Sequence, residues 1–494
     1  MSLDPHAPII VGVGQIVDRD ASGREPADLA AEALRVAAED TGLGASLFGS
    51  VDAVFSVSCL GWKYRDLGAL VADHLGLGDI DRVQGNPIGG DTGQLMVNEA
   101  AAALAAGDYD VVLVTGAESG ASHKKARKLG AEPAWTAQGE DIEPTRVIGV
   151  DKPGWNDAEV ATGLISPIYM YSLLETAVRA RLGHSIEEHA EALGQLWSGY
   201  SEIGSKNPYA WLPRAFSPEE VATPSPTNRM IAAPYTKLMC ANLAVDMASG
   251  LVMTTVAAAE RLGIPPEKWV YLHAAAAGQD EWFVSERTEL AASPAIRTLG
   301  ATVLEQTGLS IDDLTYVDLY ACFSSAVQIA ALELGLPLYD PTRPLTVTGG
   351  LGFGGGPGNN YGGHAIATMV QRLREDPAAF GLTTSLGYYV TKHAMAIMSA
   401  TPPSRRFEHL RPEIGLPAPR KVLDSCDGTA VIESHTVPFN RDGEPDSAVL
   451  SLITPDGDRV LLKSQDAELI ERVLTTDVIG STVAVAGQEV LVDL

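Results

Sequence analysis

The sequence predicts an α/β protein of two similar halves followed by a strand-rich module, and three observations predict it. Short apolar runs alternate with amphipathic or alanine-rich stretches from residue 8 to about residue 400, the pattern of strands flanked by helices. A unit of strand, helix, glycine-rich turn, long helix and strand occurs twice, which suggests similar halves with both turns on a shared cleft. Beyond Pro402-Pro403 the chain changes to short strands separated by turns.

The first half opens with PIIVGVGQ at residues 8–15, a buried strand. A helix over 26–41 follows, with alanine and leucine at i, i+3 and i+4. Next come a strand at 51–58 and a helix at 64–75. The centre of this half is RVQGNPIGGDTGQLMVNEAAAALAAGDYDVVLVTGAES, residues 82–119. It reads as a strand, a turn containing Gly89, Gly90 and Gly93, a helix over 93–106 and a strand around 111–114. Four consecutive alanines give the helix high propensity. Asp91 and Thr92 are its N-cap candidates, and Gly107-Asp108 closes it. Glycines before a helix N-terminus let a ligand approach free N–H groups; an ordinary tight connection reads equally well from them.

Residues 121–238 are too long for a plain loop and form a lid or subdomain, with helices around 169–180 and 186–203. Their basic run, His123-Lys124-Lys125-Ala126-Arg127-Lys128, reads as a phosphate contact or, more commonly, a solvated face. Small residues at 244–262 lead to a strand at 269–276, whose His273 reads as a core histidine. The second half follows with a helix at 294–307, a strand at 316–320 and a helix at 324–334. TGGLGFGGGPGNNYGG at 348–363 leads into a helix at 365–374 and a strand at 381–390. The tail has strands at 429–437, 448–453 and 459–463, a helix at 466–474, and strands at 482–486 and 489–492. That is the order of a five-stranded OB-type β-barrel.

Composition narrows the function. The 494 residues carry a net charge of −28 with 46% apolar and 20% charged residues, a globular composition. Residues 404–494 hold 9 Lys/Arg against 16 Asp/Glu, so neither the barrel nor the chain suits a nucleic-acid partner. No run is long enough for a membrane span, and the start shows no secretory signal. Cys59, Cys240, Cys322 and Cys426 are scattered without metal-site spacing, which fits a reducing cytoplasm and no metal.

With these elements placed, residues 8–400 resemble the thiolase superfamily, closest to the sterol-carrier-protein thiolases and type-1 thiolase-like proteins. Gly90-Asp91-Thr92-Gly93 with its helix, Ala106-Gly107-Asp108 and Gly116-Ala117-Glu118-Ser119 resembles the family's nucleophile loop and following strand. Asn207-Pro208-Tyr209-Ala210 with Phe216-Ser217-Pro218-Glu219-Glu220-Val221 resembles its loop domain. Tyr320-Ala321-Cys322-Phe323, then Gly349-Gly350 with Gly355-Gly356-Pro357, then Ser385-Leu386-Gly387 fall where three further catalytic loops belong. The resemblance implies a duplicated five-layer α-β-α-β-α core with an inserted loop domain over a coenzyme A tunnel. It divides the chain into a first half (1–120 and 239–275), a loop domain (121–238), a second half (276–403) and an added OB-like domain (404–494).

The departures decide the chemistry. Gly90 stands where the family carries its nucleophilic cysteine, and glycine can neither attack a thioester nor be activated. Tyr320 replaces the Asn or His that holds an oxyanion, and Gly356 replaces the third-loop histidine. Ser385, or Thr384 beside it, replaces the acid/base cysteine. Losing nucleophile and base together removes thiolysis and Claisen condensation by the family mechanism. Cys322 keeps a thiol in the second loop, with His364 and His393 as imidazoles that could pair with it; all three also read as structural.

The expectation is a thiolase-like protein that needs no cofactor and takes coenzyme A or an acyl-CoA as ligand, with Lys124, Lys125 and Arg127 as candidate phosphate contacts. Two alternatives stand beside it: an acyltransferase or thioester hydrolase using Cys322 or Ser385, and a non-catalytic partner of a lipid-metabolism protein or acyl carrier. Family members dimerise through the strand before the nucleophile. Here Gln84-Gly85-Asn86-Pro87-Ile88-Gly89 contains a proline without a ladder donor and two glycines, so the family dimer is expected to be weakened, down to a monomer.

Overall fold

The computed structural model describes residues 3–491; the last residue of the expected strand 489–492 lies outside them. The first half runs β1 (Pro8–Val17), α1 (Pro26–Asp40), β2 (Ala53–Ser56), α2 (Leu67–Leu75), β3 (Asp81–Gly85), α3 (Thr92–Ala106) and β4 (Val111–Ser119). The insertion holds α4 (Gly120–Lys128), β5 (Arg146–Ile148), α5 (Asp157–Ala161), α6 (Pro167–Leu182), α7 (Ile186–Lys206), α8 (Pro218–Ala222), β6 (Met230–Ala233) and β7 (Tyr235–Thr236). β8 (Asp246–Thr255) completes the first half, and α9 (Val256–Leu262) leads on. The second half runs β9 (Val270–Gln279), α10 (Pro294–Thr307), β10 (Leu314–Asp318), α11 (Ser324–Leu334), α12 (Tyr361–Glu375), β11 (Phe380–Gly387) and β12 (Lys392–Ser399). β13 (His409–Leu410) and β14 (Val422–Leu423) precede β15 (Cys426–Pro438), β16 (Ala448–Ile453), β17 (Arg459–Ser464), α13 (Ala467–Thr475), β18 (Thr482–Gly487) and β19 (Glu489–Leu491).

Local chemistry sets the boundaries. Ser293 caps α10 by accepting the Ile296 N–H at 3.1 Å, with proline in the first turn. Asp66 caps α2 likewise, accepting from Ala69 at 2.9 Å, so α2 starts at Leu67 and not at Tyr64. Asp91 occupies the N-cap of α3 but its side chain makes no capping bond. The expected strand 381–390 stops at Gly387. Residues 388–391 then reverse into β12, a strand the sequence reading did not separate; it is buried along its whole length and shows no alternation.

The main sheet has the order β10-β11-β12-β9-β1-β8-β4-β2-β3-β5. Each half contributes one block of it. The blocks join where Ile9 and Ile10 of β1 pair with Tyr271 and Val270 of β9. The second repeat therefore opens at Val270, inside the span 239–275 assigned above to the first half. Three apolar cores separate five layers. α1 and α2 cover one outer face, with Leu29, Leu34, Leu67 and Val71 buried against strand residues. α3 and α12 form the central layer, burying Met96, Ala100, Leu104, Ile366 and Val370 between the two blocks. α10 and α11 cover the far face together with the loop-domain helices. Each fully buried Leu, Ile, Val or Met contributes about 1.5–3 kcal/mol, so the central helices are fixed, and with them the turns that precede them.

The outer edge of β3 is covered from within the chain. β5 pairs with it in parallel, Val83 opposite Arg146 through Gly85 opposite Ile148. The strand expected to run from Gln84 to Gly89 ends at Gly85.

The C-terminal sheet has the order β14-β17-β16-β15-β18-β19 around its own apolar core. It is welded to the body. β15 pairs with β6, Val437 opposite Ala233. Arg459, fully buried, donates to the carbonyls of Ser285 and Arg287 at 2.6 Å each and to Glu433 at 2.7 and 2.8 Å. Among the described residues no helix is long and apolar enough to cross a membrane.

Candidate functional site

The turn before α3 meets the loops after β10 and β11. Asn359, from the second glycine-rich stretch, accepts the Gly89 N–H at 3.0 Å and donates to the carbonyls of Ser58 and Pro87 at 2.9 Å. Asn360 donates to the Gly116 carbonyl at 2.7 Å and to Ser249 Oγ at 3.0 Å. The two glycine-rich stretches are thus tied together, as the shared cleft requires.

At the centre there is no room for a side chain on Gly90. A Cβ on Gly90 would overlap the Tyr320 hydroxyl and lie 2.5 Å from the Leu386 carbonyl. Tyr320 is buried, its N–H donates to Thr384 Oγ1 at 3.0 Å, and its ring meets Tyr361 edge-on at 5.3 Å. Burial, then Cys322 and Asp91, push its phenol well above the ordinary value, so it stays protonated at neutral pH and offers a hydrogen-bond donor. Beside it, the space at Gly89 is filled by Asp91 Oδ1 and by Lys392 Nζ, the latter 2.5 Å from where a Cβ would stand. These two form an ion pair at 3.2 Å with both side chains 6% exposed. Lys392 also donates to the Ile88 carbonyl at 2.8 Å. The cavity left beside Tyr320, lined by Ser385, Leu386 and His393, is about 10 Å³, room for one water at most.

The remaining sequence candidates separate. Gly356 is buried, its N–H donating to the Asn242 carbonyl at 3.0 Å. Ser385 is 2% exposed, and its Oγ has no hydrogen-bond partner among the described residues. Cys322 is buried and its thiol is pushed up to about 12 by burial, so it supplies no thiolate at neutral pH. The imidazoles turn elsewhere: His393 to Asp280 at 3.0 Å and His364 to Gln15 at 2.9 Å. Lys124, Lys125 and Arg127 are exposed on α4, and Lys125 donates to the carbonyls of Asp20 and Ala21 at 3.2 and 3.1 Å. Sequence reasoning missed Lys392. The available signal was a lone lysine opening an apolar strand directly after the last loop.

Two further features frame the site. Residues 149–156 strap across the last loop: Tyr388 and Trp282 donate to the carbonyls of Lys152 and Pro153 at 2.7 Å, and Asn86 donates to that of Val150 at 3.0 Å. Tyr388 (φ 55°) and Val390 (φ 56°) beneath it are left-handed non-glycine residues, a strain held in place by the strap and the sheet. Separately, a cavity of about 340 Å³ lies between α7 and residues 338–346, lined by Leu196, Tyr200, Ile203, Leu338, Leu345 and Thr346 among others. Thr346 joins it to the site by donating to buried Asp318 at 2.9 Å; Tyr361 donates to the same carboxyl at 2.8 Å. Burial pushes the Asp318 carboxyl up to about 6.

Comparison with known proteins agrees with this architecture. The family model for the thiolase-like protein type 1 additional C-terminal domain matches residues 410–489. The crystal structure of a monomeric SCP2-thiolase-like protein type 1 from Mycobacterium smegmatis is similar with a TM-score of 0.83 at 31% identity, over 99% of this chain and 98% of that one. A steroid side-chain-cleaving aldolase from Thermomonospora curvata is 26% identical over 367 residues, 74% of this chain and 86% of that protein. An acetyl-CoA acetyltransferase from Syntrophomonas wolfei shares the fold, with a TM-score of 0.57 at 18% identity over 81% of this chain and 100% of that one.

Proposed function

Since the chain belongs to the thiolase superfamily, among the SCP2-thiolase-like proteins of type 1, we propose that it binds coenzyme A thioesters and does not perform thiolysis or Claisen condensation. The observation that carries this is the Tyr320 hydroxyl standing where a Gly90 side chain would be. No residue replaces the missing nucleophile: Cys322 is a buried thiol and Ser385 has no imidazole bonded to it among the described residues. The cavity beside α7 is large enough for an acyl group, and Lys124 and Arg127 are exposed cations for a nucleotide phosphate. The C-terminal domain is an OB-like barrel that braces the loop domain. Its Ser434 and Thr436 meet Thr176 and Ser172 of α6 at 2.5 Å. With β3 covered by β5, the family's dimer edge is occupied, and the chain is a monomer like its Mycobacterium smegmatis relative.

The experiment is calorimetry with coenzyme A and acetyl-CoA, alongside an acetoacetyl-CoA cleavage assay. Binding without cleavage is expected; turnover at rates typical of a thiolase overturns the reading. A second reading is favoured by the Thermomonospora curvata relative: carbon–carbon cleavage of a β-oxygenated acyl thioester. Such a reaction needs a base and an enolate-stabilising site but no covalent nucleophile, so Gly90 is no obstacle to it.

A further inference from the structure

A glycine inside a helix is less favourable than an alanine, so each one there needs a reason. The middle and end of α7 hold three. A Cβ on Gly194 would stand 2.7 Å from the Pro218 carbonyl oxygen, and one on Gly204 would stand 3.1 Å from the Phe353 Cβ. Close packing accounts for both. Gly199, midway between them, differs: a Cβ there would meet nothing beyond its own helical backbone within 4 Å. It lines the cavity of about 340 Å³ between α7 and residues 338–346. The side chain it lacks therefore leaves room in that cavity and relieves no contact of the fold.

The walls decide what fits that room. Leu196, Tyr200, Ile203, Leu338 and Leu345 supply apolar surface. Four lining residues carry hydroxyls, and each donates its proton inside the protein. Ser198 donates to the Phe216 carbonyl at 2.8 Å, Tyr200 to that of Leu345 at 3.1 Å, Tyr339 to Gln328 at 3.3 Å and Thr346 to Asp318 at 2.9 Å. Pro218, Pro341 and Pro344, also in the lining, have no N–H. A hydroxyl whose proton is engaged still accepts, so these walls can receive a ligand hydroxyl but offer no hydroxyl donor to a carboxylate. The acidic lining residues, Glu202 and Asp340, are exposed. The basic one, Arg343, is paired with Asp312 at 2.9 Å. An anionic head group would meet like charge there, and drawn inward it would lose its hydration without a new partner.

We infer that this cavity takes the uncharged hydrocarbon end of a lipid, a short chain or one compact ring system that carries at most a hydroxyl and no acid group. Its volume lies at the small end of ligand pockets, which span about 300–1,000 Å³. The wall is set in advance: the Leu319 N–H donates to the Leu345 carbonyl at 3.0 Å alongside the Tyr200 hydroxyl, so binding orders little. The inference rests on the reading above in seating an acyl group in this cavity, and adds which hydrocarbons enter. It involves no coenzyme A, so the two can fail separately.

The test is calorimetry of the full chain at neutral pH with n-octanol and with octanoate, next to acetyl-CoA. Octanol is expected to bind at least about 10-fold more tightly than octanoate. Gly199→Leu fills the cavity and replaces glycine with a better helix former. It is expected to fold with a thermal midpoint no lower than the parent's and to lose octanol binding. Glu202→Gln, an exposed change, is expected to lower the octanol-to-octanoate ratio. Absence of octanol binding in the parent overturns this inference; acetyl-CoA binding in the same sample leaves the thioester reading standing, and its absence overturns that as well. Octanoate binding as tightly as octanol, or a ratio unmoved in Glu202→Gln, overturns the ligand class. Octanol binding that survives in folded Gly199→Leu lies elsewhere and overturns the site.

Discussion

Two glycine-rich turns feed the two central helices, and each uses its missing side chains differently. Before α3, the room at Gly89 and Gly90 is taken by the ends of side chains from far along the chain, Lys392 of β12 and Tyr320 after β10. Before α12, the room is taken by the loop domain. A Cβ on Gly349 would stand 2.6 Å from the Gly204 Cα of α7, and one on Gly350 2.8 Å from the Tyr200 ring. The first turn has been refilled, while the second lets a helix close down on backbone. A repeated glycine pattern therefore marks two physical needs, and only the neighbours distinguish them.

The contrast is sharpest at Gly349, where φ is 97° and the obstacle is backbone. Gly349→Ala should destabilise the protein by about 3 kcal/mol, from left-handed strain plus overpacking. Urea unfolding checks it: the midpoint should fall with the slope unchanged. At Gly90 one obstacle is the movable end of Tyr320 and the other the Leu386 carbonyl, so Gly90→Ala should cost about 2 kcal/mol. Adding Tyr320→Phe should recover about 1 kcal/mol, a coupling that a double-mutant cycle reads directly. Zero coupling would mean that the hydroxyl does not fill the space, and the contrast between the turns would fail.

Near neutral pH the smallest effect is on pH dependence, in the helix after the second turn. Burial lowers the His364 pKa from 6.5 to about 3, so the fold holds the neutral ring while the unfolded chain takes a proton below pH 6.5. Its stability contribution is present above 6.5 and is lost toward about 3, at about 1.4 kcal/mol per pH unit. Asp318 runs the other way. Its folded value of about 6 against 3.8 gives stability that is full below 3.8 and gone above about 6. His364→Gln should flatten the acid-side loss and leave the opposite slope of Asp318 exposed, as measured by unfolding free energy against pH.

Where structure is local, the sequence carried it. Pro294 with Ser293 before it, and Gly308 and Gly335 behind, place α10 and α11 at their observed bounds, because caps and breakers act within a turn or two. The duplicated halves are legible in the alternation of apolar runs and helical stretches. What was not legible depends on partners far along the chain. Asp91 reads as a helix cap, yet its partner is Lys392, on a strand hidden in an apolar run. Tyr320 reads as an oxyanion donor, but that it plugs Gly90 follows only from the crossing of two loops. Pro87 and the glycines point to an irregular end of β3, whereas the observed cover of that strand is β5, a three-residue strand with no signal of its own.

That small strand has a thermodynamic consequence. Where an edge is completed by a second molecule, its integrity follows mass action and fades on dilution. Here Arg146–Ile148 pairs with that edge intramolecularly, so this pairing does not weaken on dilution.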